Sequence, residues 1–293
     1  MKKTIILSSI IALLCACNPD TWNLDVTGMF SGSSAGIDQR VEDSFDYNNK
    51  NAFPHIYATA ESYSVYVCTD THVDRTRDNW EKFIQAYRAD AGCPLALHLG
   101  DLVNAQNHWD YMRRPVDSIP ANPTKKDTLL VVAGNHDLYF NQWKEYVRLW
   151  KTSTYYAIVE TPAGKQDLYV FVDTGEGILG KKQTEWLTKT LNWADTQAFR
   201  HIVVCTHTHL FKLDSSQGNT SNMPLEETYA LLHLLKQHKV EMFWCGHDHS
   251  REVTNLGSMT AIIIDALFDR EPQPAYLIAT MADAPINYRF VKP

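Results

Sequence analysis

The chain has 293 residues, 44% of them hydrophobic and 21% charged, an ordinary globular composition with enough apolar material for one large α/β domain or two smaller ones. Its formal net charge is −7 and no Lys/Arg-rich run occurs. This excludes nucleic-acid backbone binding as the main task, because that needs a basic stripe.

In chain order, the first feature is a leader. "MKK" is a basic start, "IILSSIIALLCA" a stretch of twelve mostly apolar residues. The run is too short to span a membrane and suits a signal peptide. Leu14-Cys15-Ala16-Cys17 resembles the bacterial lipobox, which implies cleavage after residue 16 and lipid on Cys17. An ordinary secretory signal or an uncut anchor is the alternative. The expectation is an exported protein of the bacterial cell envelope that meets the membrane only through its lipid anchor, since several acyl chains hold stably where one is marginal. Cys68, Cys93, Cys205 and Cys245 would then remain. Three of them lie inside apolar runs ("VYVCTD", "IVVCTH", "MFWCGH"), so buried free thiols are expected rather than disulfides.

Residues 17–60 form a weakly patterned lead-in. "TGMFSGSSAG" has tether composition, and "RVEDSFDYNNKNAFP" has room for a short helix or a strap against the domain. From residue 61 to 293 the pattern is that of a folded domain. The runs "YSVYVCT", "PLALHL", "TLLVVA", "LYVFVD", "HIVVCT", "VEMFWC", "TAIIID", "AYLIAT" and "INYRFV" are short, β-branched and aromatic, and bounded by Gly, Asp, Asn or Pro. These are buried-strand signals. Between them lie amphipathic helices: 78–90 with Trp80, Phe83, Ile84 and Tyr87 on one face, 181–194 with Trp186, Leu187, Leu191 and Ala194, and 226–239 with Leu231, Leu232, Leu234 and Leu235. "TYYAIVE" and "DLYVFVD" predict a hairpin across "TPAGKQ". Alternating strands and helices followed by a strand-rich tail predict a mixed α/β sheet system closed by antiparallel strands.

Five of the strands end in polar residues: Asp70-Thr71-His72; Gly100-Asp101-Leu102-Val103-Asn104; Gly134-Asn135-His136-Asp137; Thr206-His207-Thr208-His209; and Gly246-His247-Asp248-His249. In open α/β sheets the carboxyl ends of strands are where ligands bind, so the five would converge. Two Asp, several imidazoles and an amide oxygen make a mixed N/O shell for Zn, Fe or Mn, with too many donors for one tetrahedral ion and about enough for two. A carboxylate bridging two cations roughly 3.5–4 Å apart would polarise a trapped water into hydroxide and clamp phosphate oxygens. Such a site is net positive and favours an anionic substrate.

The ordered set D-x-H, G-D-x-x-N, G-N-H-D, H and G-H-x-H resembles the calcineurin-like metallophosphoesterases. The resemblance implies a four-layer α/β/β/α sandwich of two mixed sheets, with a dinuclear metal site at strand carboxyl ends. It implies that Asp70, His72 and His249 hold one metal, that Asn135, His207 and His247 hold the other, and that Asp101 bridges them. His136 would donate a proton to the leaving group or stabilise the transition-state oxyanion, with Asp137 orienting its ring, and Asn135 would also touch a phosphate oxygen. The D-x-H opening and Asn104, where purple acid phosphatases carry a tyrosine, place the chain in the D-x-H branch. Either His207 or His209 could serve the fourth motif; His207, nearer the strand end, is preferred, with His209 lining the substrate pocket.

Asn104, His108, His209 and Arg251 are candidate substrate contacts, although Arg251 more commonly would make a surface salt bridge. His98 fits a core histidine. His55, His201, His233 and His238 fit solvated or helix-face positions. Asp173 either borders the site or caps a loop, and Asp248 faces away to hold its own. The function implied is hydrolysis of phosphomonoesters or phosphodiesters by a metal-activated hydroxide. The competing class is a pseudoenzyme scaffold that binds a protein or phosphate ligand without turnover. Loops 102–126, 174–182 and 208–224 would wall the pocket, and nothing in them identifies the substrate.

Overall fold

Strands whose two faces are both covered show continuous apolar runs rather than alternation. The computed structural model, which describes residues 35–123, 126–211 and 223–293, shows that covering. Leader residues 1–16, Cys17 with the rest of the segment to residue 34, and residues 212–222 of the polar loop lie outside the described residues. A seven-stranded sheet has the order β1 (His55–Tyr57), β5 (Tyr155–Glu160), β6 (Gln166–Val172), β7 (Phe199–Thr206), β8 (Met242–Cys245), β10 (Met259–Ile263), β9 (Glu252–Leu256). A five-stranded sheet has the order β12 (Ala284–Val291), β11 (Tyr276–Ala282), β2 (Tyr63–Cys68), β3 (Leu95–His98), β4 (Leu129–Val131). Both are mixed: β2, β3 and β4 run parallel, as do β6, β7, β8 and β10, while β5–β6 is the expected antiparallel hairpin.

The period-two alternation of a strand sorts each run between two cores. Val65 and Val67 of β2 face the inter-sheet core with Leu95, Leu97, Tyr169, Phe171, Val203 and Trp244. Tyr66 and Cys68 face the other way, under helices α2 (Asp78–Ala89), α3 (Trp109–Ser118) and α4 (Trp143–Trp150), whose Trp80, Phe83, Trp109, Met112, Trp143 and Tyr146 close that side. Val170, Val204 and Phe243 pack on the opposite outer face under α5 (Lys181–Asp195) and α6 (Leu225–Gln237) through Leu187, Leu191, Leu231 and Leu235. The four layers are therefore helix, sheet, sheet, helix. Cys68, Cys93, Cys205 and Cys245 are free and buried in these cores.

The lead-in contributes more than a tether. Residues 37–50 form helix α1 (Ile37–Lys50), and β1 pairs in parallel with β5. Helix α1 buries Ile37 and Val41, and beside them the fully buried Arg40 guanidinium bonds both carboxylate oxygens of Asp173 at 2.9 and 3.0 Å and reaches Glu176 at 3.2 Å. Both α1 and β1, which precede residue 61, therefore pack as part of the sandwich.

Candidate metal centre

Each of the five polar motifs follows the last residue of a strand, and all five strands point their carboxyl ends to one edge. Asp70, His72, Asp101 and Asn135 come from the five-stranded sheet; His207, His247 and His249 come from the seven-stranded one. Backbone hydrogen bonds sew the turns together, among them Asp70 N to Gly100 O and His72 N to Asp101 O, both 3.0 Å, and Gly246 N to His207 O at 2.9 Å. The turns are sharp enough that five of the side chains stand on left-handed backbone: Asp70 (φ 49°), His72 (39°), Asp101 (55°), His247 (74°) and His249 (61°). That conformation costs a non-glycine residue roughly 1–2 kcal/mol each, and such strain gathers where a fold must aim a side chain. Two motif glycines make room. A Cβ on Gly134 would lie 2.2 Å from Asp101 Oδ1, and one on Gly246 would lie 2.4 Å from Asp70 Oδ2.

The donor atoms form two groups. In the first, Asp70 Oδ1 lies 3.4 Å from His249 Nε2 and 3.8 Å from His72 Nε2, and those two nitrogens are 3.0 Å apart. In the second, Asp101 Oδ2 lies 3.5 Å from His207 Nε2, which is 3.0 Å from Asn135 Oδ1 and 3.2 Å from His247 Nδ1. Asp101 Oδ2 is also 3.6 Å from His72 Nε2, so this carboxylate stands between the groups. The donors of Asp70, His72 and His249 lie within 4.8 Å of one another, as do those of Asp101, His207 and His247; His136 joins His72 and Asp101 in a third such cluster.

With the imidazoles neutral, acceptor atoms face inward. His207 Nδ1 donates to Leu99 O at 2.8 Å, which leaves Nε2 as an acceptor in the neutral ring. Asp70 Oδ2 already accepts from Thr69 Oγ1 at 2.7 Å and from His247 N at 2.9 Å, while its buried Oδ1 has no hydrogen-bond donor. A buried acceptor without a donor is costly unless a cation faces it. The mixed N/O donor set fits a metal cation.

The electrostatics agree. Burial pushes the Asp70 carboxyl up, but His249 and His207 outweigh it and hold it below the usual carboxylate range. Burial likewise opposes Asp101, which His207 and His136 hold well below that range. Burial drives His72 down to about 3, and burial with the His207 charge takes His247 down to about 4. His207 goes the other way: Asp101 and Asp70 overcome burial and raise it to about 10. Two ionised carboxylates in a dry pocket demand positive charge: without a metal the raised His207 and His249 carry it as protons, while His72 and His247, lowered, are neutral and open to a cation.

The other expected residues divide. His136 packs edge-on to His72, ring centroids 4.5 Å apart, and its backbone N–H donates to Asp101 Oδ1 at 2.8 Å. Asp137 does not hold its ring. Its carboxylate accepts Leu102 N and Gly134 N at 2.9 Å and Val103 N at 3.4 Å, tying the second motif to the third. Asn104 lines the cleft. Arg251 is turned away: it pairs with Asp265 at 2.8 Å and lies 3.8 Å over the Phe290 ring. His108 sits in the short turn before α3, beside Tyr111, outside the cleft wall. His209 is buried behind the ligands, its ring 5.9 Å from that of His247. Asp173 is taken by Arg40, and His98 is a core residue bonded to Thr71 Oγ1 at 2.9 Å. Asp248 borders the cleft and accepts from Ser250 Oγ.

The cleft over the site has a volume of about 680 Å³, and four of its residues were not anticipated: Tyr139, Phe268, Arg270 and Glu271. A signal for the last three was present. "TAIIID" becomes β10, parallel to β8, so the loop after it opens on the same edge as the metal motifs.

A family model described as calcineurin-like phosphoesterase matches residues 63–251. No curated protein matches the chain. Among solved structures the chain is similar to Plasmodium GAP50, titled the anchor in the inner membrane complex, with TM-score 0.60 and 16% identity over 79% of this chain and 84% of that one. A putative 5'-nucleotidase from Staphylococcus aureus is similar with TM-score 0.53 and 14% identity, over 79% of this chain and 54% of that one. The 5'-nucleotidase of Candida albicans has TM-score 0.50 and 15% identity, over 82% and 54%. At these identities the likeness is one of fold, and the chain spans about half the length of each nucleotidase.

Proposed function

Because the chain belongs to the calcineurin-like phosphoesterase family, we propose that it hydrolyses phosphoesters, either a phosphorylated small molecule or a phosphodiester, with two transition metals of the Mn, Fe or Zn kind. The observation that carries this reading is the convergence of buried lone pairs from both sheets on Asp101. Asp70, His72 and His249 would hold one ion, and Asn135, His207 and His247 the other, with Asp101 serving both. Bound there, the ions supply an activated water and neutralise phosphoryl oxygens during in-line displacement.

The chain's own groups do the rest. His136, fixed by its backbone bond to Asp101 and by the His72 ring, is placed to give a proton to the leaving oxygen. Asn104, Tyr139, Phe268 and Arg270 wall the cleft and orient the ester. The D-x-H sequence at Asp70–His72, with Asn104 in the second motif, favours the branch without a metal-bound tyrosinate, so the purified protein is expected to be nearly colourless. A scaffold without turnover, the competing reading, has no use for a complete donor set together with His136.

Metal analysis joined to a panel of aryl phosphate and bis(aryl) phosphate tests the proposal. About two equivalents of transition metal per chain and hydrolysis that EDTA abolishes are expected. A metal-replete protein inert across the panel would transfer the argument to the scaffold. Export and lipid anchoring through Cys17, which lies outside the described residues, are part of the same proposal; mass spectrometry of the mature N-terminus should find an acylated Cys17.

A further inference from the structure

Residues 139–141 form a strained turn just past the third motif. Phe140 (φ 57°) and Asn141 (φ 60°) are consecutive non-glycine residues on left-handed backbone. Strain of this kind persists only where the surroundings over-determine it, and they do. The Gln106 side-chain amide donates to Phe140 O, and Gln142 N donates to Tyr139 O at 3.2 Å. The buried Gln142 side chain donates to His136 O at 3.1 Å and accepts Trp109 Nε1 at 2.8 Å. Four hydrogen bonds thus fix the turn, although Tyr139 itself is 42% exposed.

What the turn delivers is one side chain. The backbone N–H of Tyr139 donates to Asn135 O at 3.3 Å, so the two residues stand four apart on a single helical turn with their side chains on one face. The Asn135 side-chain amide then donates from Nδ2 to the Tyr139 hydroxyl at 2.9 Å, while its Oδ1 lies 3.0 Å from His207 Nε2. An amide has two ends, and only the oxygen can bind a metal. With Nδ2 accepted on the cleft side, the oxygen faces inward.

We propose that Tyr139 is a positioning residue for the second metal site: its phenol oxygen accepts the Asn135 N–H and so turns the Asn135 carbonyl oxygen toward the ion that His207 and His247 would share. This rests on the phosphoesterase reading above and adds to it a residue that lies outside all five motifs. Outer partners of metal ligands typically change affinity by about 10–100-fold when removed.

The test is Tyr139→Phe, which keeps the ring and deletes only the hydroxyl. Zn2+ binding to the purified chain is titrated against a chromophoric chelator, and melting is followed without metal. The expected result is an unchanged metal-free melt, an unchanged tighter site, and about a tenfold loss at the weaker one. Asn135→Ala should weaken the same site, and adding Tyr139→Phe to it should cost nothing further, because the hydroxyl acts only through the amide. Two unchanged affinities in Tyr139→Phe, or a full additional loss on the Asn135→Ala background, would overturn the proposal while leaving the phosphoesterase reading intact. A wild-type chain that binds none of Zn2+, Mn2+ and Fe2+ would overturn both.

Discussion

Asp101 has one oxygen on the His136 amide and the other between His72 and His207. Replacing it with Asn keeps the shape and removes the charge. Asp101→Asn should lower turnover by about two or more decades with the fold intact, as should His136→Ala; steady-state kinetics beside a circular-dichroism melt would show it, and full activity in Asp101→Asn would rule out a two-metal mechanism. The convergence of the seven candidate donors was legible because each sits within four residues of a strand end, a local feature. For Arg251 a salt bridge was readable as the commoner fate, but not its partner Asp265, which depends on the direction of β9. Tyr139 was not, because the turn that lifts it is set by Gln106 and Gln142 from two other directions.

At the scale of elements, the strands and the three Leu- or Trp-striped helices were readable, since apolar periodicity is what burial requires of them. Helix α1 was legible only as room for a short helix or a strap, because the Arg40–Asp173 ion pair that anchors it beside Ile37 and Val41 has no apolar signature. That contact also makes it fragile: Arg40→Ala would strand Asp173 in the interior, and removing one partner of a buried pair costs about 3–5 kcal/mol. Urea denaturation should show a loss of that order, and a loss under about 1 kcal/mol, typical of a surface pair, would mean that α1 is not held this way. A second tie crosses from β7 to the segment before β8, where His201 Nδ1 meets Glu241 Oε2 at 2.6 Å and Nε2 meets Ala282 O at 2.7 Å. Burial alone would lower His201, but Glu241 and the Ala282 carbonyl raise it above its usual value; burial would raise Glu241, but His201 and the Ile286 N–H lower it. A raised histidine stabilises fully below its unfolded pKa of about 6.5 and loses that contribution as pH climbs through the folded value, and a lowered glutamate stabilises above about 4.3 and loses it on acidification. The pair therefore contributes most between those limits. The drop in melting temperature caused by His201→Gln should be larger at pH 6 than at pH 9, and an equal drop at both would show that the ring acts by packing alone.

For the whole molecule, the seven candidate metal-site side chains are divided between two sheets that meet mainly through apolar contact, with a few polar ties such as Tyr63 to Asp167 and Tyr155 to Val131. Any ion they hold in common is a cross-link between those sheets. Ligand binding to the native state alone adds about 2.7 kcal/mol at a hundredfold excess over the dissociation constant. Removing metal with EDTA should lower the melting temperature by several degrees and readdition of Zn2+ or Mn2+ should restore it; calorimetry that shows no difference would separate the site from the stability of the sandwich. The order of the five motifs along the chain announced this architecture, because each motif needs its own strand end. The walls of the cleft were legible only through the direction of β10, since Phe268, Arg270 and Glu271 come from a loop with no motif of its own.

Four sulfurs lie sealed in these cores: Cys68, Cys93, Cys205 and Cys245 are all free and at most 1% exposed. Burial raises each of the Cys68, Cys205 and Cys245 thiols well above the usual value, which suppresses the reactive thiolate. Whatever compartment this domain works in, closing the described cores asks for no disulfide among these four. The same fold should therefore form from chains made in a reducing cytosol or refolded in a test tube with dithiothreitol. A thiol reagent added to the native protein should leave these four untouched until the sandwich is opened.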